Sequence, residues 1–236
     1  MNGTVTCASA RIGATVLIAL CLALPGWLTA PVAAASTPDE MAPGKTDKAK
    51  PYGLSGKQAD GAPGLAQRPG PADAGERARL LGELYGRLAK AKDAGAAKII
   101  ETAIERIWLY SGSDTTDLLM SRALKLHNAG KSRLALKILS SVVILAPDYQ
   151  EGWNRRAYIY FSKRDYRRAL RDLKRVLKLD PRHFQALNGM ANIMRALGDK
   201  ASALEAFRKV RKIHPFAEGV EESIKELERE VEGQEI

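Results

Sequence analysis

The side chains able to do chemistry are few and far apart in this 236-residue sequence. Its three histidines, His127, His183 and His214, are too few and too scattered in sequence to argue for a metal site. Its only cysteines, Cys7 and Cys21, lie in an apolar N-terminal segment, and Leu20 precedes Cys21 where a lipidation signal wants a small residue. No Gly-x-Ser-x-Gly elbow, His-Glu-x-x-His pair or Cys–His arrangement is present. Gly44-Lys45-Thr46 copies the tail of a phosphate-binding loop, but Asp39 stands where that loop needs glycine and no strand precedes it. The acid pairs Asp114/Asp117 and Asp148/Glu151 read as helix caps, the second as a capping box from Asp148 to Glu151. Glu221, Glu222, Glu226, Glu228 and Glu230 read as one solvated helix face. The residues therefore point to a protein without catalytic site, cofactor or metal.

The elements that could position any binding residue begin late in the chain. Residues 1–35 carry Arg11, an apolar run from Ile12 to Leu24, a Pro25-Gly26 break and small residues at Ala33 and Ala35. This is the pattern of a signal peptide, with cleavage expected between Ala35 and Ser36 and a periplasmic destination. The alternative is an uncleaved inner-membrane anchor, because the uncharged stretch from Ile12 to Ala35 is just long enough to span a bilayer. Residues 36–75 are rich in Pro, Gly, Ala, Lys and Asp without apolar periodicity, and read as a disordered tether. As a flexible coil it would reach roughly 35 Å.

Periodicity governs the rest. Pro147, Pro181 and Pro215 are thirty-four residues apart, as are Ala135, Ala169 and Ala203, and Val142, Val176 and Val210. Leu139, Leu173 and Phe207 keep the same interval. Each unit holds two apolar stripes of helical spacing separated by a turn, with Gly130 and Gly198 in two of the turns. A hairpin of this kind cannot bury its apolar face alone, so neighbours must stack. Residues 76–113 form a further hairpin out of register, with stripes at Leu81, Leu84, Leu88 and at Ile100, Ile104, Trp108, separated by Ala94-Gly95. It reads as a divergent N-terminal cap. Residues 217–236, with a seam of Val220, Ile224, Leu227 and Val231, read as an acidic C-terminal capping helix.

The period, together with Trp153, Ala157, Tyr160, Tyr166, Ala169, Leu173 and Pro181, resembles the tetratricopeptide (TPR) family. The three units fall at about 116–149, 150–183 and 184–216 within residues 114–216. The resemblance implies an all-α solenoid of helix-turn-helix repeats that acts as a protein-binding scaffold. It also implies large burial of Trp153 and Tyr160. By the same resemblance, positions two, five, nine and twelve of each first helix line a peptide-binding groove. These are Asp117, Met120, Leu124 and His127; Glu151, Asn154, Tyr158 and Phe161; and Gln185, Asn188, Asn192 and Arg195. Asparagine offers both a donor and an acceptor to a peptide backbone, and the aromatic rings offer apolar anchors. Met120, Leu124 and Gly189 stand where carboxylate-gripping relatives carry polar or basic groups, which argues against that mode.

Charge is unevenly spread. Residues 116–215 hold 22 Lys plus Arg against 8 Asp plus Glu, whereas residues 216–236 hold 2 against 8. Arg167, Arg171, Lys174 and Lys178 make one basic stripe opposite Leu170, Leu173 and Leu177, on what would be the outer, convex face. Such a stripe suits an acidic partner or an anionic envelope surface. The export signal and the lack of interleaved aromatics argue against nucleic acid.

Overall fold

The computed structural model describes residues 74–233. The signal segment, nearly all of the tether and residues 234–236 lie outside the described residues. All regular structure among those described is helical: α1 Ala74–Leu88, α2 Ala94–Leu109, α3 Asp114–Asn128, α4 Ser132–Leu145, α5 Gln150–Ser162, α6 Tyr166–Leu179, α7 Phe184–Ala196, α8 Lys200–Ile213 and α9 Val220–Glu232.

Repetition of sequence becomes repetition of hydrogen bonds. Each second helix stops two residues before its proline, where the N–H groups of Ala146, Asp180 and His214 donate to Val142, Val176 and Val210 at 2.9, 2.8 and 2.8 Å. Proline cannot donate to a further turn, so the chain leaves there. The turns inside the units also match. The N–H groups of Lys131, Asp165 and Asp199 return to the carbonyls of Leu126, Tyr160 and Met194 at 2.8, 2.9 and 3.0 Å. These closures place one residue per turn at positive φ: Gly130 at 74°, Arg164 at 59° and Gly198 at 84°. Arg164 is thus a side-chain-bearing residue in the left-handed region that its two counterparts fill with glycine. Asp165 and Asp199 cap α6 and α8 by accepting from the N–H groups of Arg168 and Ser202, each at 3.1 Å.

Stacking is apolar and close. Ala135, Ala169, Ala203, Leu139, Leu173, Phe207, Val142, Val176 and Val210 are all buried. Helices α4 and α5 pack across one inter-repeat seam, α6 and α7 across the next, and α9 closes α8. A Cβ added to Gly152 would stand 2.8 Å from Val142 Cγ1, so glycine permits the first seam to close. The seam of α9 is buried at Val220, Ile224 and Leu227, and its acids face α8: Arg208–Glu228 at 2.8 Å, Arg211–Glu221 at 3.3 Å and Lys200–Glu230 at 3.5 Å.

Four expectations need correction. No capping box forms at α5: Tyr149 is the cap residue without a side-chain bond, Asp148 pairs with Arg175 at 3.1 Å, and Glu151 is buried. At α3 the cap is Ser113, whose Oγ accepts from Thr116 N–H, while Asp117 reaches back to Ser111 N–H at 2.9 Å. Ala94-Gly95 does not separate α1 from α2; both belong to the first turn of α2, capped by Asp93. Trp153 and Tyr160 are half-buried, their open sides covered by guanidinium groups: Arg156 lies 4.9 Å above Trp153, and Arg168 lies 4.7 Å above Tyr160.

The largest departure concerns the hairpin α1–α2. A cap in line with the repeats would cover the leading side of α3, as α4 covers Gly152 in α5. Instead α2 packs against α5, and α1 against α8. The leading side of α3 stays open: Leu118 is 69% exposed, whereas Ala186, its counterpart in the third unit, is 0% exposed.

Candidate functional site

The site is the face shared by the first helices α3, α5 and α7, and α2 lies across part of it. Helices α5 and α7 are direct neighbours there. Each begins at a junction whose residues the repeat pattern does not require: Tyr149, then His183 and Phe184. Trp108 from α2 is buried against the second junction. Its ring stacks on His183 with centroids 3.8 Å apart and planes 5° from parallel, and it meets Phe184 at 4.9 Å. His214, at the end of α8, packs edge-on to Phe184 at 5.2 Å.

Polar contacts frame this aromatic stack. Gln185 Nε2 donates to Glu105 Oε1 at 2.8 Å, and Tyr149 Oη donates to the Leu109 carbonyl at 2.9 Å. Tyr85 Oη on α1 donates to Asp180 and accepts the Trp108 indole N–H at 3.2 Å. Arg77 donates to the Trp108 carbonyl at 3.3 Å, and Arg182 lies 4.7 Å above the Tyr85 ring. His214 Nε2 is 4.0 Å from Glu101 Oε2.

Beneath α2 lies a buried polar cluster. Glu151 is ion-paired with Arg155, and its Oε2 accepts from Asn154 Nδ2 at 3.1 Å. His183 Nδ1 accepts the Ala186 N–H at 3.2 Å and so caps α7; the ring proton therefore sits on Nε2, 3.4 Å from Glu151 Oε2. Burial acts to raise the Glu151 pKa, but Arg155, His183 and Asn154 outweigh it and hold the carboxyl below its ordinary value. Glu105 shifts the other way: burial, with Glu101 adding, pushes its pKa up against the pull of Lys98 and Arg155. Burial raises Tyr85, and Asp180 adds to that; burial lowers His214, against the pull of Glu101.

The structure divides the twelve groove residues. Glu151, Asn154 and Gln185 meet under α2, with Asn154 Nδ2 also 3.5 Å from Gln185 Oε1. They are buried rather than solvent-lining. Met120 belongs to the core between α3 and α4, with Leu124 half-buried at its edge. Asp117, as above, ties down the turn after α2. His127 and Tyr158 meet edge to face at 5.5 Å, and with Phe161 they are half-buried. Asn192, buried, donates to the Asn188 carbonyl at 2.9 Å and to Asn188 Oδ1 at 3.0 Å. Arg195 donates to Asn192 at 3.1 Å and reaches Glu226 at 3.4 Å. Arg167, Arg171, Lys174 and Lys178 are all exposed on α6, and none makes an ion pair among the described residues.

Sequence reasoning missed Arg155, His183, Phe184 and His214 on the repeats, and Tyr85, Glu105 and Trp108 on the hairpin, as residues of one site. A signal existed: aromatic residues at Tyr149, His183, Phe184 and His214 recur at junctions where no repeat column asks for them.

Stacked helical hairpins closed by a terminal helix define a helical-repeat solenoid, whose chemistry is surface recognition. A tetratricopeptide-repeat family model matches residues 154–218. A TPR repeat-containing protein of Rhizobium etli is 35% identical over 153 residues, covering 65% of this chain and 75% of that protein. The chain belongs to the tetratricopeptide-repeat family. Among solved structures, the Sgt2 TPR domain from Aspergillus fumigatus is 17% identical, with a TM-score of 0.48 over 52% of this chain and 83% of that one. MamA of AMB-1 is 18% identical, with a TM-score of 0.45 over 68% of this chain and 85% of that one. Repeats of this family mediate protein–protein interaction, and their fold is typically a scaffold rather than a catalyst.

Proposed function

We propose that this protein is a non-catalytic adaptor that captures a protein segment on the face of α3, α5 and α7. One observation carries the reading: that face already seats a helix, α2, through a stacked tryptophan and side-chain hydrogen bonds. Helix-in-groove recognition uses the same means, an apolar anchor in a pocket with polar contacts fixing register. Photo-crosslinking residues placed at Tyr158 and at Phe161 should capture the partner in living cells, and one placed at Arg171 should not. Capture at Arg171 alone would remove the groove reading.

A second reading has its own support. Three cations of α8, Lys200, Arg208 and Arg211, are matched by acids of α9, whereas the α6 stripe of Arg167, Arg171, Lys174 and Lys178 makes no ion pair among the described residues. An acidic partner or anionic envelope surface would bind there. Such binding should fall with Arg171→Glu plus Lys174→Glu and drop steeply as salt rises. Groove binding should respond weakly to salt.

We place the adaptor in the bacterial periplasm on the strength of the N-terminal pattern, with cleavage after Ala35. N-terminal sequencing of the exported product should begin at Ser36. An intact Met1 in the membrane fraction would replace cleavage with anchoring.

A further inference from the structure

The seam between the hairpin and the repeats is built unlike the rest of the molecule. Buried side-chain atoms without a hydrogen bond lie there: Arg77 Nε, Asn154 Oδ1 and His214 Nδ1. Asn154 is fully buried, and His214 nearly so. A permanent core satisfies such groups, because each one left unmade costs free energy. Across this seam Leu81, Ile104 and Trp108 share one apolar cluster with Phe184 and Leu187, and the polar and aromatic contacts lie around it, so the hairpin covers an apolar seat of the kind an amphipathic helix fills. Four residues, Tyr110 to Ser113, join α2 to α3, and Gly112 among them has φ of 83°.

We propose that α1–α2 is a displaceable occupant of the groove, and that the external partner is an amphipathic helix with the chemistry of α2. That chemistry is readable from the seat. Trp108 fills the slot between His183 and Phe184. Glu105, three residues before it, meets Gln185, and Glu101, seven residues before it, faces His214. Spacings of four and three put Glu101, Glu105 and Trp108 on one helix face. The partner is therefore a helix carrying tryptophan with acids three and seven residues earlier. This rests on the groove reading above and adds the ligand class and the competition. A covalently attached competitor acts at high effective concentration, so the external helix binds weakly until the hairpin is loosened.

The test uses the full chain and a fluorescein-labelled synthetic peptide of residues 94–110. Trp108→Ala in the protein should empty the slot and tighten peptide binding at least about tenfold by anisotropy. A peptide with alanine in place of its tryptophan should not bind that variant. Excess unmodified peptide should speed amide exchange in α1 and α2 of the native chain while α5 to α8 stay protected. A second variant does not depend on truncating a buried ring. Glu105→Cys plus Gln185→Cys, with Cys7→Ser and Cys21→Ser, is bridged by a short bismaleimide; the bridged form should lose the peptide binding that the unbridged form shows. Binding to Trp108→Ala no tighter than to the native chain, with helical content unchanged, would overturn displacement. So would equal binding by bridged and unbridged forms. Peptide crosslinking at Tyr158 and Phe161 with the bridge in place would overturn displacement while supporting the groove reading. In-cell crosslinking at Arg171 alone would remove the groove reading itself.

Discussion

Two kinds of seam hold this molecule together, and they differ in what their residues leave unsatisfied. Between repeats, small and branched apolar residues meet: Val142 of α4 lies against Gly152 of α5, and Val176 of α6 shares a buried cluster with Ala186 of α7. Between the hairpin and the repeats, Leu81, Ile104 and Trp108 join an apolar cluster with Phe184 and Leu187, but Trp108 also stacks on His183, Tyr85 donates to Asp180, Gln185 donates to Glu105, and several buried polar atoms lack a hydrogen bond. The first seam gains from apolar burial and leaves little polar surface to satisfy on separation. The second balances apolar burial against imperfect polar pairing, so its surplus is smaller. Protein interfaces that must exchange partners share that balance. The contrast teaches that a repeat protein can keep a stiff spine and a weakly held occupant in one short chain.

The contrast can be broken most forcefully at matched positions. Ala186→Glu would bury a charge in an apolar seam and should cost several kcal/mol or prevent folding. The same change at its first-unit counterpart, Leu118→Glu, faces solvent and should stay within about 0.5 kcal/mol. Equal costs in denaturant titrations would show that the leading side of α3 is covered.

Core truncation separates the seams next. Leu173→Ala should cost roughly 2–5 kcal/mol of global stability. Ile104→Ala should instead show as faster amide exchange in α1 and α2, with α5 to α8 still protected. Removing residues 216–236 should then lower the melting temperature and promote association, because α9 covers the apolar side of α8. An unchanged, monomeric product would remove the cap assignment.

Smaller effects sharpen the picture. Arg164→Gly should stabilise by about 0.5–1 kcal/mol, since its φ of 59° is the region glycine occupies freely in the two sister turns. The smallest effect concerns pH. Burial lowers the His214 pKa, so the unfolded state binds its proton more readily. The stability this neutral ring contributes is present above the ordinary histidine value of about 6.5 and is lost as pH falls through the folded value. Glu105, raised by burial, works in the opposite sense: its contribution fades as pH rises through its folded value. Amide exchange in α1 and α2 should thus quicken on acidification below about pH 6.5. His214→Gln should flatten that response.

Sequence alone determined the spine. A period of thirty-four with alanine, leucine and valine in fixed columns allows only stacked hairpins, because each column must be buried and only a neighbour can bury it. The prolines marked helix ends and the acidic tail marked the terminal helix, both local properties of the chain. What only the tertiary structure decided was where the out-of-register hairpin goes and which groove residues it hides. Glu151, Asn154 and Gln185 have the spacing of groove-lining residues whether or not α2 lies on them. Their burial depends on Trp108 finding His183, seventy-five residues away, through an aromatic stack, the apolar cluster beside it and a few polar contacts. No periodicity records a contact made once, so that choice was settled by packing alone.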